Sequence, residues 1–283
     1  VFAWLLGDRD NAGKTRTMLQ DMGIPVYREL FRAVECIQAV FDRSRWVKQV
    51  GIQKTELHRL QLIHPVVNVV KNAKGVLDEH LSKQFLQSAG IPVVAEAVVN
   101  SLEDAVKIAG ELTFPVVMKG LVQGMVHKTE NQLVHLNLDS EADVTTAFDA
   151  LSGVIGNQDK ILLQKQLGGR AELIVGMTRD GQFGPCVMCG MGGILAEAIQ
   201  DKVFLVAPFG IKEALYMIDR LKSRCILNGF RGEAPLDRHL LADILVRIGQ
   251  IAGSYPGIRE MDINPMIIEN GCPVAVDASI VLG

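Results

Sequence analysis

From residue 160 to residue 193 the chain runs through three strand-type stretches, "KILLQKQL", "AELIVGMTRD" and "GPCVMCGMGG", with no helical stretch between them. No other feature constrains the fold as much. Parallel neighbours need a crossover of a dozen or more residues, usually a helix, whereas antiparallel neighbours need only a short turn. The C-terminal "GIREMDINPMIIENGCPVAVDASIV" likewise reads as a hairpin-like pair around Asn270-Gly271, a dipeptide suited to a tight turn. Earlier strand-type runs, "IPVVAEAVV", "FPVVMKG" and "LVHLNL", alternate with helical ones. The helices are "LDEHLSKQFLQSAG", "SLEDAVKIAGEL" with its Ser101…Asp104 capping box, "SEADVTTAFDALSG" and later "RHLLADILVRIGQIAG". Long hairpins interleaved with helices predict α+β lobes, not one parallel sheet.

The first residues have a different rhythm: strand "VFAWLL", helix "KTRTMLQDMG", strand "IPVY" and helix "RELFRAVECIQAVFDRSRW". Two β/α units are too few for a free-standing doubly wound domain, so this stretch reads as the tail end of one. Residues 48–75 mix charge with weak periodicity and read as a connector, partly helical. "GDRDNAGKT", Gly7 to Thr15, imitates a phosphate-binding loop. Such a loop needs four residues between Gly and Gly-Lys-Thr, so that successive backbone N–H groups curl around a phosphate. Here five intervene, Asp8 to Ala12, two of them acids. The segment reads as a polar strand-to-helix connection, and a nucleotide site is to be sought elsewhere.

At 283 residues with 48% hydrophobic and 22% charged residues, the chain is long enough for about two domains with a substantial core. A net charge of −3 offers no basic field for nucleic acid. No stretch approaches the ~18 uninterrupted apolar residues of a membrane span. The start at Val1, without basic leader or cleavage site, suggests a piece of a longer polypeptide with no signal peptide. Five scattered cysteines fit a reducing cytosol. Cys186 and Cys189 form one C-x-x-C, but zinc would want a second pair, and the setting reads as a buried strand.

Several residues stand where chemistry is carried. Lys119 ends an apolar strand, where it either snorkels to water or meets an anion such as a nucleotide phosphate. His127-Lys128 lie in the polar loop "QGMVHKTENQ", where a neutral imidazole is able to accept a phosphoryl group. Asp262, Asn264 and Asp277 sit in β-rich apolar contexts; if their segments pair around Asn270-Gly271, Asn264 and Asp277 face each other across strands. Oxygen donors of this kind suit Mg²⁺, which takes one or two protein groups and otherwise water and phosphate. Gly190 to Gly193, "GMGG", either allow backbone approach to a phosphate or form a tight turn. Glu172 either accepts ribose hydroxyls or caps a strand edge.

Taken in order, "SKQFLQSAGIPV", "EDAVKIAGELTFPVVMKG", "HKTE", "LLQKQL", "AELIVGMTRDGQFGP", "GMGGILAE", "NGFRG", "EMDINPMII" and "VDAS" resemble the ADP-forming acyl-CoA synthetases, related to succinyl-CoA synthetase. The resemblance covers residues 76–283 and implies an ATP-grasp domain, an α/β (α+β) fold of two lobes gripping ATP. Residues 1–47 look like the C-terminal part of the flavodoxin-like CoA-ligase domain that precedes ATP-grasp in fused members, with 48–75 as linker. The resemblance assigns Lys119 to the ATP phosphates, Gln164 to the hinge segment beside adenine and Glu172 to the ribose. Gly192 and Gly193 go with the nucleotide, Asn264 and Asp277 with Mg²⁺. His127 becomes the loop histidine that relays phosphate to and from a second phosphohistidine. The implied reaction is acyl-CoA + ADP + phosphate ⇌ carboxylate + CoA + ATP. The implied partners are the nucleotide, CoA-binding and ligase domains of the same or another chain, and an oligomer, without nucleic acid or membrane. One departure stands out. Where the family continues its histidine loop with a second Gly, this chain has Leu133 in "HKTENQLV", a side chain expected to obstruct phosphate approach. A non-catalytic nucleotide sensor, for instance one fused to an acetyltransferase, is the alternative.

Overall fold

The computed structural model describes residues 3–4, 9–27, 29–50, 65–121, 133–156, 160–169, 171–193, 201–229, 232 and 234–283. They fall into two compact units, Val1–Lys54 and Thr55–Gly283. The first holds β1 (Ala3–Trp4), α1 (Arg9–Asp21), β2 (Val26–Tyr27) and α2 (Leu30–Val50), with β1 and β2 parallel. α1 stops where Gly23 takes a positive φ of 72°, its N–H bonding Gln20 O at 2.9 Å while Ile24 N–H bonds Leu19 O at 2.9 Å. That is a glycine-terminated helix end as the sequence predicts. The imitation phosphate loop is corrected here. From Arg9 onward it is helix, not connection, so Gly13-Lys14-Thr15 present helical backbone whose N–H groups are spent within α1.

The second unit opens with α3 (Pro65–Asn72), inside the stretch that the sequence assigns to a connector. Val66, Val67 and Val70 of α3 are buried in the larger core, so this helix is part of the folded body. Then come β3 (Gly75–Val76), α4 (Glu79–Ser88), β4 (Glu96–Val99), α5 (Leu102–Leu112), β5 (Val116–Leu121), β6 (Val134–Leu138), α6 (Glu141–Ser152) and β7 (Lys160–Lys165). They are followed by β8 (Glu172–Asp180), β9 (Gly184–Met191), β10 (Lys202–Val206), α7 (Ile211–Asp219), α8 (Arg238–Ser254), β11 (Ile258–Glu269), β12 (Cys272–Ala275) and β13 (Ala278–Leu282). β10 and α7 have no counterpart in the sequence reading.

The described strands of the second unit make two antiparallel sheets. The smaller is ordered β4-β7-β5-β6; the larger is β10-β9-β8-β11-β13-β3, with β12 also paired to β11. Helices α5 and α6 cover one face of the smaller sheet, burying Ala105, Ala109, Val144, Ala147 and Leu151 against Val116, Met118, Ile161 and Leu163. Helix starts are fixed by side-chain caps: Ser101 accepts from Asp104 N at 3.1 Å and Asp237 from Leu240 N at 2.9 Å. α8 lays Leu241, Leu245, Ile248 and Ala252, an i, i+4, i+7 stripe, against the larger sheet, where Val175, Val187, Met261 and Ile263 are buried in the same core. Asn270 and Gly271 carry positive φ of 51° and 84° between the paired Glu269 and Cys272, the two-residue turn that the sequence specifies. Cys189 is buried in that core and its thiol is pushed up to about 12 by desolvation, with Asp201 adding to the effect. Cys186, three positions away on β9, lies on the opposite face of the strand, so the C-x-x-C thiols do not converge.

Candidate functional site

Strand alternation decides which side chains of the smaller sheet are available. Val99, Val116, Met118, Ile161 and Leu163 point into the α5–α6 core. Their neighbours Glu96, Lys119 and Gln164 therefore stand on the other face. Register aligns them: Glu96 pairs with Gln164 and Gln164 with Val117, while Lys119 pairs with Leu162 one step along. An uncompensated ammonium on that face would be strongly disfavoured, since Lys119 is almost wholly buried. The compensation comes from outside the sheet. Lys119 Nζ donates to Glu79 Oε1 at 2.7 Å and lies 3.7 Å from Asp277 Oδ2.

Glu79 begins α4, where Asp78 caps the helix by accepting from Leu81 N. Its carboxylate also accepts from Lys83 Nζ at 2.8 Å, one turn further along. Lys83 is fully buried and surrounded by acceptors: it donates to Gln164 Oε1 at 2.9 Å and Val276 O at 3.0 Å, and pairs with Glu96. His80 Nδ1 is 2.8 Å from the other oxygen of Glu96. One polar network thus joins α4, three strands of the smaller sheet, and the Val276-Asp277 connection of the larger sheet.

That connection sits directly across from Asn264. β11 and β12 pair Met266 with Ala275, β11 and β13 pair Ile263 with Ala278, and between them Asn264 N donates to Asp277 O at 3.1 Å. The expected juxtaposition of Asn264 and Asp277 across strands is present, the two segments pairing around the Asn270-Gly271 turn. Asp277 is about a third exposed, at 34% of its side chain. Asp262, two residues before Asn264, has its carboxyl pushed above the usual range, first by burial, then by the Glu260 and Asp277 carboxylates, with Lys202 opposing.

Gly192 and Gly193 wrap around Glu172. Gly192 N donates to Glu172 O at 2.7 Å, and a Cβ on Gly192 would lie 3.2 Å from Glu172 Cβ. Gly193 has φ of 78°, with the Glu172 carboxylate 3.5 Å from its ideal Cβ position. A glycine pair is what lets this turn close over the start of β8. His127 and Lys128 fall outside the described residues. Leu133 does not: its side chain is buried in the smaller core, 3.1 Å from the Cβ that Gly120 lacks. The expectation that it obstructs phosphate approach is therefore corrected, because the side chain is turned into the hydrophobic core.

Glu79, Lys83 and Glu96 are the residues that sequence reasoning misses. A signal was present. In α4, positions 79, 82, 83 and 86 form the buried i, i+3, i+4, i+7 stripe, and two of the four are charged. Charges on a buried stripe mark a paired polar network more often than a solvated face.

The oxygen donors at Asn264 and Asp277 fit a hard divalent cation. Among the described residues no group of three or more His, Cys, Asp or Glu gathers into a self-sufficient metal site. Magnesium needs only one or two protein oxygens when phosphate and water supply the rest.

Comparison with known proteins follows the same lines. The family described as an ATP-grasp domain matches residues 68–282. The β subunit of acetate–CoA ligase [ADP-forming] I from Pyrococcus furiosus is 36% identical over 232 residues, 80% of this chain and 100% of that subunit. Acetate–CoA ligase [ADP-forming] I from Archaeoglobus fulgidus is 33% identical over 97% of this chain, which spans only 41% of that longer protein. Among solved structures, acetyl-coenzyme A synthetase 1 of Ca. Korarchaeum cryptofilum with coenzyme A and Ca-AMPCP superposes at a TM-score of 0.70, with 37% identity, covering 77% of this chain and 98% of that one. The same protein with Mg-AMPPCP, its phosphohistidine segment pointing towards the nucleotide-binding site, gives 0.67 and 38% identity, again over 77% of this chain and 98% of that one. The chain belongs to the ATP-grasp family, as the ATP-grasp portion of an ADP-forming acyl-CoA synthetase.

Proposed function

We propose that this chain binds ATP or ADP with Mg²⁺ and performs the nucleotide half-reaction of acyl-CoA + ADP + phosphate ⇌ carboxylate + CoA + ATP. The observation that carries this reading is the convergence of Lys119 and Asp277, 3.7 Å apart, beside Gln164 and opposite Asn264. In this reading Lys119 holds nucleotide phosphate, Gln164 lies in the strand beside adenine, and Glu172, with Gly192 and Gly193 around it, takes the ribose. Asn264 and Asp277 are the residues that would hold Mg²⁺, which when bound neutralises phosphate charge. Phosphoryl transfer needs alignment and charge neutralisation more than covalent help, and a buried ammonium 3.7 Å from the Asp277 carboxylate offers both.

His127 is the proposed carrier. In the ATP-forming direction its ring nitrogen holds the phosphoryl group. The N–P bond breaks as a terminal ADP oxygen forms the new O–P bond, and the imidazole is left free to be charged again. In the Korarchaeum protein a phosphohistidine segment points towards the nucleotide site, which supports the same division of labour here. CoA-binding and ligase domains, on this polypeptide or a partner chain in an oligomer, would supply acyl substrate and the second histidine. The burial of the Leu133 side chain in the smaller core supports turnover over a sensor without it.

Incubation with γ-labelled ATP and Mg²⁺ tests the reading. Wild type is expected to retain acid-labile label that His127→Ala lacks. Nucleotide binding with no label on either protein would overturn the phosphohistidine step.

A further inference from the structure

The nucleotide site rests on a buried network that none of the roles above uses. Glu79 accepts from two ammonium groups through the same oxygen, Lys119 at 2.7 Å and Lys83 at 2.8 Å. Its side chain is 1% exposed. Lys83, equally buried, is held on its far side by Gln164, Val276 and Glu96. Lys83 and Lys119 face Glu79 and Glu96, and Asp277 is the more exposed acid beside Lys119.

A lysine side chain has four rotatable carbons and carries its charge on a flexible stem. An ammonium meant to meet phosphate must be held, because misplacement by about 1 Å costs on the order of a hundredfold in a transfer reaction. Asp277 is a poor anchor for that task, being 3.7 Å away and shared with the candidate cation position. Glu79 is a better one. It is fixed at the first turn of α4, and Lys83 on the next turn prevents it from swinging away. Lys83 in turn ties this anchor to Gln164 of β7 and to the backbone carbonyl that precedes Asp277. Three parts of the nucleotide site, at the phosphates, beside adenine and at the metal turn, are registered against one helix start.

We infer that Glu79 is a positioning residue that holds the Lys119 ammonium for nucleotide phosphate, with Lys83 locking Glu79 in place. The inference rests on the nucleotide reading above and gives Glu79 a role through Lys119, without contact to substrate. It also explains why two charges occupy the buried stripe of α4, where apolar residues would pack without desolvation cost.

Calorimetric titration of the full chain with ATP and with adenosine, both with MgCl₂, tests it. Adenosine has no phosphate and reports the integrity of the site apart from Lys119. Glu79→Gln is expected to weaken ATP about tenfold, the scale of one charge-assisted hydrogen bond, and adenosine by less than about twofold. In a Lys119→Met background the same substitution is expected to change ATP affinity by less than about twofold, because nothing remains to be positioned. Equal losses for both ligands would mean a merely structural role and overturn the inference. Unchanged or tighter ATP binding would overturn it too, the latter marking Glu79 as a competitor of phosphate. If Glu79→Gln does not fold, Glu79→Asp, with the charge withdrawn by one methylene, is expected to lose about threefold for ATP alone; loss for both ligands, or for neither, overturns the inference. Wild type that binds no ATP would sink the nucleotide reading and this one together. Wild type that binds, with Glu79→Gln indistinguishable from it, sinks only this one.

Discussion

At the scale of single residues, Leu133 shows how one position changes meaning between sequence and structure. Against the family pattern it replaces a glycine in a phosphate-approaching loop, and as a string of letters it looks like damage. In the fold it is a core residue, 1% exposed, packed where Gly120 leaves room. Restoring the glycine should therefore harm the protein. Leu133→Gly is expected to cost about 3–5 kcal/mol in denaturant unfolding, as a buried leucine truncation does, without tightening ATP. Tighter ATP binding at unchanged stability would restore the obstruction idea. Lys119, Asn264 and Asp277 stand out in the sequence because each is a polar group set in an apolar, β-rich run, Asp277 falling between β12 and β13. Glu79 and Lys83 were not read, because a helix rich in charge looks solvated until its buried stripe is identified. The i, i+4 pairing that binds them to one another is common on exposed helices.

At the scale of elements, antiparallel pairing was legible wherever turn chemistry or an unbroken run of strands forced it. β8 with β9 and the β11–β12 hairpin follow that rule, whereas β7, the first strand of the same run, pairs instead with β4 and β5 in the smaller sheet. The Asn270-Gly271 turn fixes a register that then brings Asn264 opposite Asp277, thirteen positions apart in the chain. Gly271→Ala tests how firmly the turn sets that register. Its φ of 84° disfavours a side chain, and the added Cβ would lie 2.6 Å from Pro235 O. We expect a loss of at least about 2 kcal/mol, measured by urea unfolding, from strain and steric conflict together. β10 escaped the sequence reading because it is an edge strand with an exposed, half-exposed alternation, Lys202, Phe204 and Val206 outward, and its pairing partner β9 alone defines it. α3 lies in the stretch read as a partly helical connector; its eight residues give a weak periodic signal, and tertiary packing of Val66, Val67 and Val70 ties it to the larger core.

At the scale of the whole molecule, the larger unit carries every described residue of the candidate site, and it coincides closely with the ATP-grasp match over residues 68–282. The first unit contributes none of them. Relatives carry the corresponding part either as a separate subunit, as in Pyrococcus furiosus, or within a longer chain, as in Archaeoglobus fulgidus. In either arrangement the same task falls to it under our account: to hold a nucleotide's phosphates between an ammonium from the smaller sheet and oxygen donors from the larger. The most direct test is calorimetric titration of the chain with ATP in the presence of Mg²⁺, wild type against Lys119→Met, with circular dichroism confirming that both are folded. The account predicts saturable one-to-one binding by wild type and at least a tenfold weaker constant for the variant, the loss expected when a charged hydrogen-bond donor to phosphate is removed. Equal affinities in two folded proteins would contradict it.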